Sequence, residues 1–192
     1  MKYKKFSKET LSNTLQTLIQ NRNFSKAITL ASNYLKYFPE EVFLKKCLAY
    51  CFSMVDRLND SKELWLEIIQ TDPYNEETLL NLAEVERKLG RHESALGLLE
   101  LCSSYHPNSL KPWVSMGAIY NHNKQYKESA NASLEAIKRD PTNEDAYQNL
   151  GSSFFHLSMF NEAKHAFETA LLLNPNIKEA KSSLSSVLFK QN

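Results

Sequence analysis

Glycine is scarce in this sequence, and the glycine-dependent motifs of catalysis are missing. The four glycines among 192 residues are too scattered to build a phosphate-binding loop of the GxxxxGK[S/T] or GxGxxG type. The hydrolase motif GxSxG and the zinc-protease motif HExxH are absent too. Carboxylates are plentiful, but they lie mostly on helix faces predicted to meet solvent. We therefore predict that the chain is not an enzyme and holds no cofactor.

Strong charge and long apolar runs are also lacking. Lysine and arginine number 23 against 22 aspartates and glutamates, a formal net charge of +1, which argues against electrostatic capture of nucleic acid. No run of about 18 apolar residues could span a membrane, and the basic N-terminus lacks the apolar segment of a secretory signal. The three cysteines, an odd number, favour reduced thiols. These absences predict a cytoplasmic protein that has no membrane span and does not bind nucleic acid.

What the sequence does contain is a periodic repeat that is marked by proline. Five of its six prolines, at positions 39, 73, 107, 141 and 175, are evenly spaced. Since proline cannot continue a helix interior, each of them marks the end of a helical segment. The predicted repeats are residues 8–41, 42–75, 76–109, 110–143 and 144–177. They follow a lead-in at residues 1–7 and precede a terminal helix at residues 178–192.

The last repeat shows the internal pattern most clearly. Apolar residues three or four apart form two stripes, from Tyr147 to Leu157 and from Phe160 to Leu171, which is typical of two helices. Gly151 interrupts the first stripe at a cost of ~1 kcal/mol in helix propensity, so we predict that the second helix approaches the backbone closely there. One column of the second helices is small in every repeat: Ala27, Ser61, Ala95, Ser129 and Ala163. This column predicts two tightly interlocked helices in each repeat.

The repeat resembles the tetratricopeptide repeat, a helix-turn-helix unit of the same period with Leu-Gly, aromatic and alanine positions and a closing proline. The resemblance covers about residues 8–177. It implies an all-α fold, a right-handed α-solenoid of five repeats with a capping helix at the C-terminal end. It also implies a scaffold whose first helices line a concave groove, in which a peptide or a helix of another protein binds.

The predicted groove residues combine aromatic rings, methionine, amides and charges. Rings and methionine supply apolar contact area, while amides and cations bind peptide backbone and carboxylates. The predicted peptide-binding groove consists of Phe43, Lys46, Tyr50, Met54, Asn81, Glu84, Arg87, Lys88, Lys111, Val114, Asn121, His122, Gln148, Asn149, Phe155 and His156.

Two modes of recognition used in the family are matched only in part. A clamp for a C-terminal carboxylate would use Lys46, Asn81 and Lys111, but Tyr50 and Ser115 replace its second asparagine and its arginine. Without the arginine, the bidentate contact with a carboxylate is lost.

The second mode is a ladder of asparagines on the inner face. Asn13, Asn81 and Asn149 occupy the ladder position, and Cys47 and Ser115 interrupt it. Alternate rungs would still be able to bond the backbone of a peptide.

Cysteine and histidine leave two further alternatives open. Cys47 and Cys51 stand four positions apart on one helix, a spacing that allows chelation of a metal, but no second Cys/His pair is nearby in sequence. Buried thiols are the favoured interpretation, so no metal site is predicted. His122 and His156 lie one repeat apart and are expected to neighbour each other. They form either a pH-sensitive, ligand-contacting pair or two exposed polar residues.

Two functional hypotheses follow. The first is a non-catalytic scaffold for protein–protein interaction, or a co-chaperone, that holds a peptide or helix in the groove. The alternative is a repeat array that presents substrate to an enzyme such as a glycosyltransferase on another chain, and the interrupted asparagine ladder motivates it.

The terminal helix generates the first testable prediction. Ala180, Leu184, Val187 and Leu188 form an apolar stripe that we expect to cover the last repeat, because the end of a helical array is otherwise an exposed apolar face. Deletion of residues 178–192 should lower the melting temperature and promote self-association, as measured by circular dichroism and size-exclusion chromatography. An unchanged melt together with a monodisperse monomer would contradict the capping role.

Overall fold

A computed structural model of the protein describes residues 7–191, without the side chain of Gln191, and within this range it is entirely helical. Most of the predicted lead-in, residues 1–6, lies outside the described residues, as does Asn192. The eleven helices of the described range are α1 (Lys8–Gln20), α2 (Phe24–Leu35), α3 (Val42–Met54), α4 (Leu58–Ile69), α5 (Glu76–Lys88), α6 (His92–Tyr105), α7 (Lys111–His122), α8 (Tyr126–Arg139), α9 (Glu144–His156), α10 (Phe160–Leu173) and α11 (Lys178–Gln191). The all-α prediction, with two helices for each predicted repeat and one more at the end, is therefore confirmed.

The chain divides into two compact units after Arg91. The amino-terminal unit contains α1 to α5, and in it α2 packs on α1 and α3, while α4 packs on α3 and α5. The carboxy-terminal unit contains α6 to α11. There α7 packs on α6 and α8, and α9 packs on α7, α8 and α10. In each unit, helices that follow one another in the chain are thus also neighbours in space.

The turns between first and second helices have one conformation. Arg22, Asp56, Gly90, Lys124 and Ser158, which occupy the same position of successive repeats, have φ between 55° and 74°. At every turn, the amide of the following residue donates to a carbonyl five positions earlier, as Gln125 does to Tyr120 at 2.8 Å. This is the Schellman arrangement that ends a helix in the left-handed conformation. Only one of these five residues is glycine, so four turns bear the steric cost of a side chain there.

In the second and fourth repeats, the small column lies where the two helices cross. All five of its residues are buried, and its two serines bond the facing first helix. Ser61 donates to the carbonyl of Ala49 at 2.6 Å, and Ser129 donates to that of Gly117 at 2.8 Å. The predicted close packing of the two helices is therefore confirmed in these two repeats.

Gly151 lies under the ring of Phe167 on the second helix of its repeat. A Cβ atom added to Gly151 would come within 2.8 Å of that ring. This distance confirms that a bulky group of α10 approaches the backbone of α9, as the interrupted stripe predicts.

Helix α11 packs on α10 and α9, but its buried face is narrower than predicted. Ala180 and Val187 are fully buried and Leu184 is partly buried. Leu188, in contrast, is 42% exposed and Phe189 is 80% exposed. The prediction that Leu188 belongs to the buried stripe is wrong, because each residue advances about 100° around a helix and Leu188 is turned away from the line of Val187.

The close approach at Gly151 generates a paired prediction. Gly151→Ala should destabilise the protein by about 1–3 kcal/mol, because the added methyl group overpacks against Phe167. Gly97→Ala is the matched control, since it also lies inside a helix but has no neighbour within 4 Å of an added Cβ. The control should stabilise by up to ~1 kcal/mol. Urea unfolding measures both changes, and stabilisation by both alanines would contradict the close approach.

The left-handed turns generate another prediction. Ser158→Gly should stabilise the protein by about 1 kcal/mol, because glycine removes the steric cost of a side chain at positive φ. Gly90→Ala should destabilise it by a similar amount for the converse reason. Ser152→Gly, inside α9, is the control and should destabilise by about 0.5–1 kcal/mol. Thermal unfolding measures the three variants. If Ser158→Gly and Ser152→Gly changed the stability of the protein in the same direction, the result would argue against strain at the turn.

Candidate functional site

A pocket opens on one face of α3 in the amino-terminal unit. Its volume is about 410 Å³. Four predicted groove residues, Phe43, Lys46, Tyr50 and Asn81, line it together with Ile19, Val42, Cys47, Trp65 and Glu77. The structure therefore brings together residues of α3 and α5 that are almost forty positions apart in sequence.

The spacing of residues along α3 explains how the pocket forms. Phe43, Lys46, Cys47 and Tyr50 recur at intervals of three, one and three positions, which places them on one face of the helix. Tyr50 is 37% exposed and meets the edge of Phe24, with 6.4 Å between ring centroids. Cys47 and Trp65 are buried and form the floor. The pocket thus offers aromatic walls over an apolar base.

The polar residues of the pocket already have partners within the unit. Lys46 Nζ lies 2.5 Å from Glu77 Oε2. Asn81 Nδ2 donates to the backbone carbonyl of Glu77 at 2.7 Å. The positive charge of Lys46 is therefore largely neutralised at the rim of the pocket.

Three of the predicted residues on α5 form other contacts in this unit. Arg87 makes two hydrogen bonds of 2.7 Å to the carboxylate of Glu84, and these bonds raise the pKa of Arg87. Lys88 Nζ donates to the carbonyl of Ser53 at 3.0 Å. This bond holds the end of α3 against α5. Met54, at the end of α3, is partly buried.

In the carboxy-terminal unit, the predicted asparagines join α7 to α9. Asn121 Nδ2 donates to the carbonyl of Asn149 at 2.9 Å. Asn149 Nδ2 in turn donates to the carbonyl of Val114 at 3.2 Å. Ser153 completes the network with a bond to Asn121 Oδ1 at 3.1 Å. These side chains stabilise the packing of two first helices, a role that sequence spacing did not indicate.

The two predicted histidines each lie against a ring at the start of a second helix. His122 meets the edge of His92, with 4.8 Å between centroids. His156 stacks on Tyr126 at 4.3 Å with an interplanar angle of 8°. His92 and Tyr126 occupy the same repeat position, so a periodic signal for these contacts was present in the sequence.

The remaining predicted residues of this unit lie in or near the same helices. Phe155 packs edge-on against His156 and Phe160. Lys111 is exposed at the first residue of α7, and Gln148 is partly buried on α9.

Cys47 and Cys51 are free and buried. Burial raises the pKa of Cys47 to about 12 and that of Cys51 to about 11, so both thiols stay protonated near neutral pH. Protonated thiols are poor nucleophiles and poor metal ligands. Among residues 7–191, no group of three or more His, Cys, Asp and Glu side chains could hold a metal ion.

None of the helices in the described range is long and apolar enough to cross a membrane.

Comparison with known proteins identifies relatives along most of the chain. The TPR repeat-containing protein YpiA of Bacillus subtilis (strain 168) is 25% identical over 158 residues, which cover 81% of this chain and 37% of YpiA. The small glutamine-rich tetratricopeptide repeat-containing protein of Dictyostelium discoideum is 31% identical over 110 residues, 57% of this chain and 33% of that protein. The chain therefore spans only about a third of the length of either curated relative.

Solved structures share the fold at low sequence identity. TTC0263, a thermophilic TPR protein of Thermus thermophilus, matches with a TM-score of 0.74 and 17% identity, over 95% of this chain and 100% of its own. YrrB, described as a TPR protein with an unusual peptide-binding site, matches with a TM-score of 0.68 and 15% identity, over 91% of this chain and 90% of its own. MamA of Desulfovibrio magneticus RS-1 matches with a TM-score of 0.75 and 14% identity, over 88% of this chain and 96% of its own.

Three models of the tetratricopeptide repeat family match the sequence directly, at residues 77–109, 110–143 and 144–177. These matches are contiguous and together cover more than half of the chain. With the helix order and the shared fold, they show that this protein belongs to the tetratricopeptide repeat family.

Proposed function

We propose that this protein is a non-catalytic scaffold that binds a peptide or a helix of a partner protein on the first helices of its repeats. The pocket between α3 and α5 is the observation that carries the proposal. Its volume of about 410 Å³ lies in the range of sites that bury a ligand group. The description of YrrB as a TPR protein with a peptide-binding site supports the same function by similarity.

The chemistry of this pocket favours an apolar side chain of the partner. Phe43 and Tyr50 form its walls and Trp65 its floor, and aromatic side chains of this kind carry much of the binding energy at protein interfaces. Lys46 and Glu77 at the rim form a neutral pair, which is suited to hydrogen bonds with a peptide backbone.

A co-chaperone that captures a C-terminal carboxylate is less well supported. Lys46 is paired with Glu77, and the amide of Asn81 donates to a backbone carbonyl. A ligand carboxylate would have to compete with both contacts, and Ser115 replaces the arginine that would offset this cost.

The alternative, a repeat array that presents substrate to a glycosyltransferase on another chain, rests on the asparagine ladder. The amides of Asn81 and Asn149 both donate to backbone carbonyls of the protein itself. Because one N–H donor of each amide is already used within the protein, the scaffold remains the better supported function.

In the carboxy-terminal unit, the proposed partner contacts are Lys111, Val114, Gln148, Phe155 and His156. Val114 stays in this set, whereas Asn121 and Asn149 are left out of it, because their side-chain amides hold α7 against α9. The cytoplasmic location is part of the proposal, and the three buried cysteines, which form no disulfide, are compatible with a reducing compartment.

Removal of the exposed ring tests the pocket. Tyr50→Ala should weaken partner binding by roughly tenfold or more, as is typical of a central aromatic contact, while changing the melting temperature little. Tyr37→Ala is the matched control, because Tyr37 is an exposed tyrosine of the same unit that does not line the pocket.

The measurement combines affinity capture and mass spectrometry, which identify the partners of the wild-type protein, with calorimetric titration of each partner. Binding that survives Tyr50→Ala, or an equal loss in Tyr37→Ala, would show that the pocket is not the site.

A further inference from the structure

A second groove lies on the opposite face of α3. Its volume is about 580 Å³. Lys45, Leu48 and Phe52 face it from α3. Since successive residues are about 100° apart around a helix, these three lie opposite the face of α3 that bears Tyr50. The groove is therefore separate from the pocket of the proposed function.

Residues of α2 and α4 form the walls of this groove, with apolar side chains at its base and charged side chains at its edge. Leu35 of α2 and Leu64 of α4 join Leu48 and Phe52 at the apolar base. Glu63 and Glu67 of α4 also line the groove, and both are exposed. The groove thus combines an apolar floor with carboxylates at its edge.

Lys45 is the unusual residue of this groove. The equivalent positions of the other repeats are Leu11, Leu79, Trp113 and Tyr147, whereas Lys45 is a cation that is only 7% exposed. Its Nζ lies 2.6 Å from Glu67 and 3.7 Å from Glu40. Bonding to Glu67 raises the pKa of Lys45, so the ammonium stays charged.

The carboxy-terminal unit shows what occupies the equivalent space two repeats later. Trp113 stands at the position of Lys45, and the guanidinium of Arg139 lies 4.8 Å from the centre of its ring. Arg139 also bonds Glu135 at 2.7 Å and the carbonyl of Pro107 at 2.8 Å. Ring, cation and carboxylate form one layered cluster there.

The amino-terminal unit has the cation and the carboxylate of this cluster but not the ring. Glu67 is equivalent to Glu135, and Pro39, which also lines the groove, is equivalent to Pro107. Thr71 takes the position of Arg139, and its hydroxyl donates to the carbonyl of Ile68 at the end of α4 at 2.7 Å. Lys45, whose chain is slimmer than the indole of Trp113, thus lines an open groove at the position equivalent to Trp113.

We propose that this groove binds an aromatic side chain of a partner peptide that carries a lysine or arginine next to it. The ring packs on the leucines of the floor and against the Lys45 ammonium, a cation–π contact in which the protein supplies the cation and the partner supplies the ring. The basic neighbour of the ring meets Glu63. Two ammonium groups, those of Lys36 and Lys45, line the groove together with the three carboxylates of Asp60, Glu63 and Glu67. The surplus charge of the lining is therefore negative and favours a basic partner.

Three synthetic peptides, acetylated and amidated, test the chemistry of the occupant: GSWRSG, GSARSG and GSWESG. Each is titrated into the ¹⁵N-labelled full chain while backbone amide shifts are followed by NMR. GSWRSG should give saturable shifts in α2 and α4 at millimolar concentration or below. The alanine and glutamate peptides should bind at least roughly threefold more weakly, as expected for loss of a ring–cation contact or of an ion pair.

Two variants locate the site. Glu63→Lys should reverse the preference, so that GSWESG binds more tightly than GSWRSG. Ser32→Trp, on the α2 wall, should fill the groove and abolish the shifts. Tyr50→Ala, on the opposite face of α3, is the matched control and should leave the titration unchanged.

The proposal fails if GSWRSG gives no saturable response, if its shifts fall on α5 beside the other pocket, or if Glu63→Lys keeps the wild-type preference. If Ser32→Trp does not fold, as judged by circular dichroism, the charge reversal at Glu63 still decides the result. Because Tyr50→Ala separates the two faces of α3, failure here is distinguishable from failure of the proposed function.

Discussion

The close crossing of two helices within a repeat is the constraint on which the rest of this structure depends. A small residue must stand where the helices cross, because a larger side chain would hold them apart. Ala163 and Ser129 fill this position in the last two repeats, and Gly151 extends the principle to the first helix, under Phe167. Once the crossing is close, the bulky residues beside it are buried almost completely, and their burial supplies most of the stability of each unit.

Charge inside such an array is tolerated only where it is paired. Glu86 stands in a column that holds Leu18, Phe52, Tyr120 and Phe154 in the other repeats, and it is only 4% exposed. Lys62 lies 2.5 Å from its carboxylate and Arg91 lies 3.6 Å away, yet one carboxylate oxygen has no hydrogen-bond partner among the described residues. A buried ion pair of this kind costs desolvation energy that an aromatic residue would not. Lys45 is the second such exception, because it is a buried cation in a column that otherwise holds leucine, tryptophan and tyrosine, and it lines a groove.

The polar residues of the first helices divide into two groups with different consequences for binding. The first group donates hydrogen bonds to backbone carbonyls of neighbouring helices, and it consists of Asn121, Asn149 and Lys88. Tyr50 keeps an exposed ring at the edge of a pocket. The proposed binding surface is therefore more apolar than the list of predicted side chains indicates, and we expect its specificity to come from the shape of the pockets more than from free charge.

The sequence by itself determined the helices, their order and their pairing, because proline, the small column and the apolar stripes act through local geometry that recurs in each repeat. It also indicated that Phe43, Lys46 and Tyr50 share a face, since their spacing follows the helical period. Only the tertiary structure decided which of these side chains were available. The partner of Lys46 stands 31 residues away, and that of Asn149 stands 35 residues away. Contacts between helices at such separations depend on side-chain reach and rotamer, which no local pattern encodes.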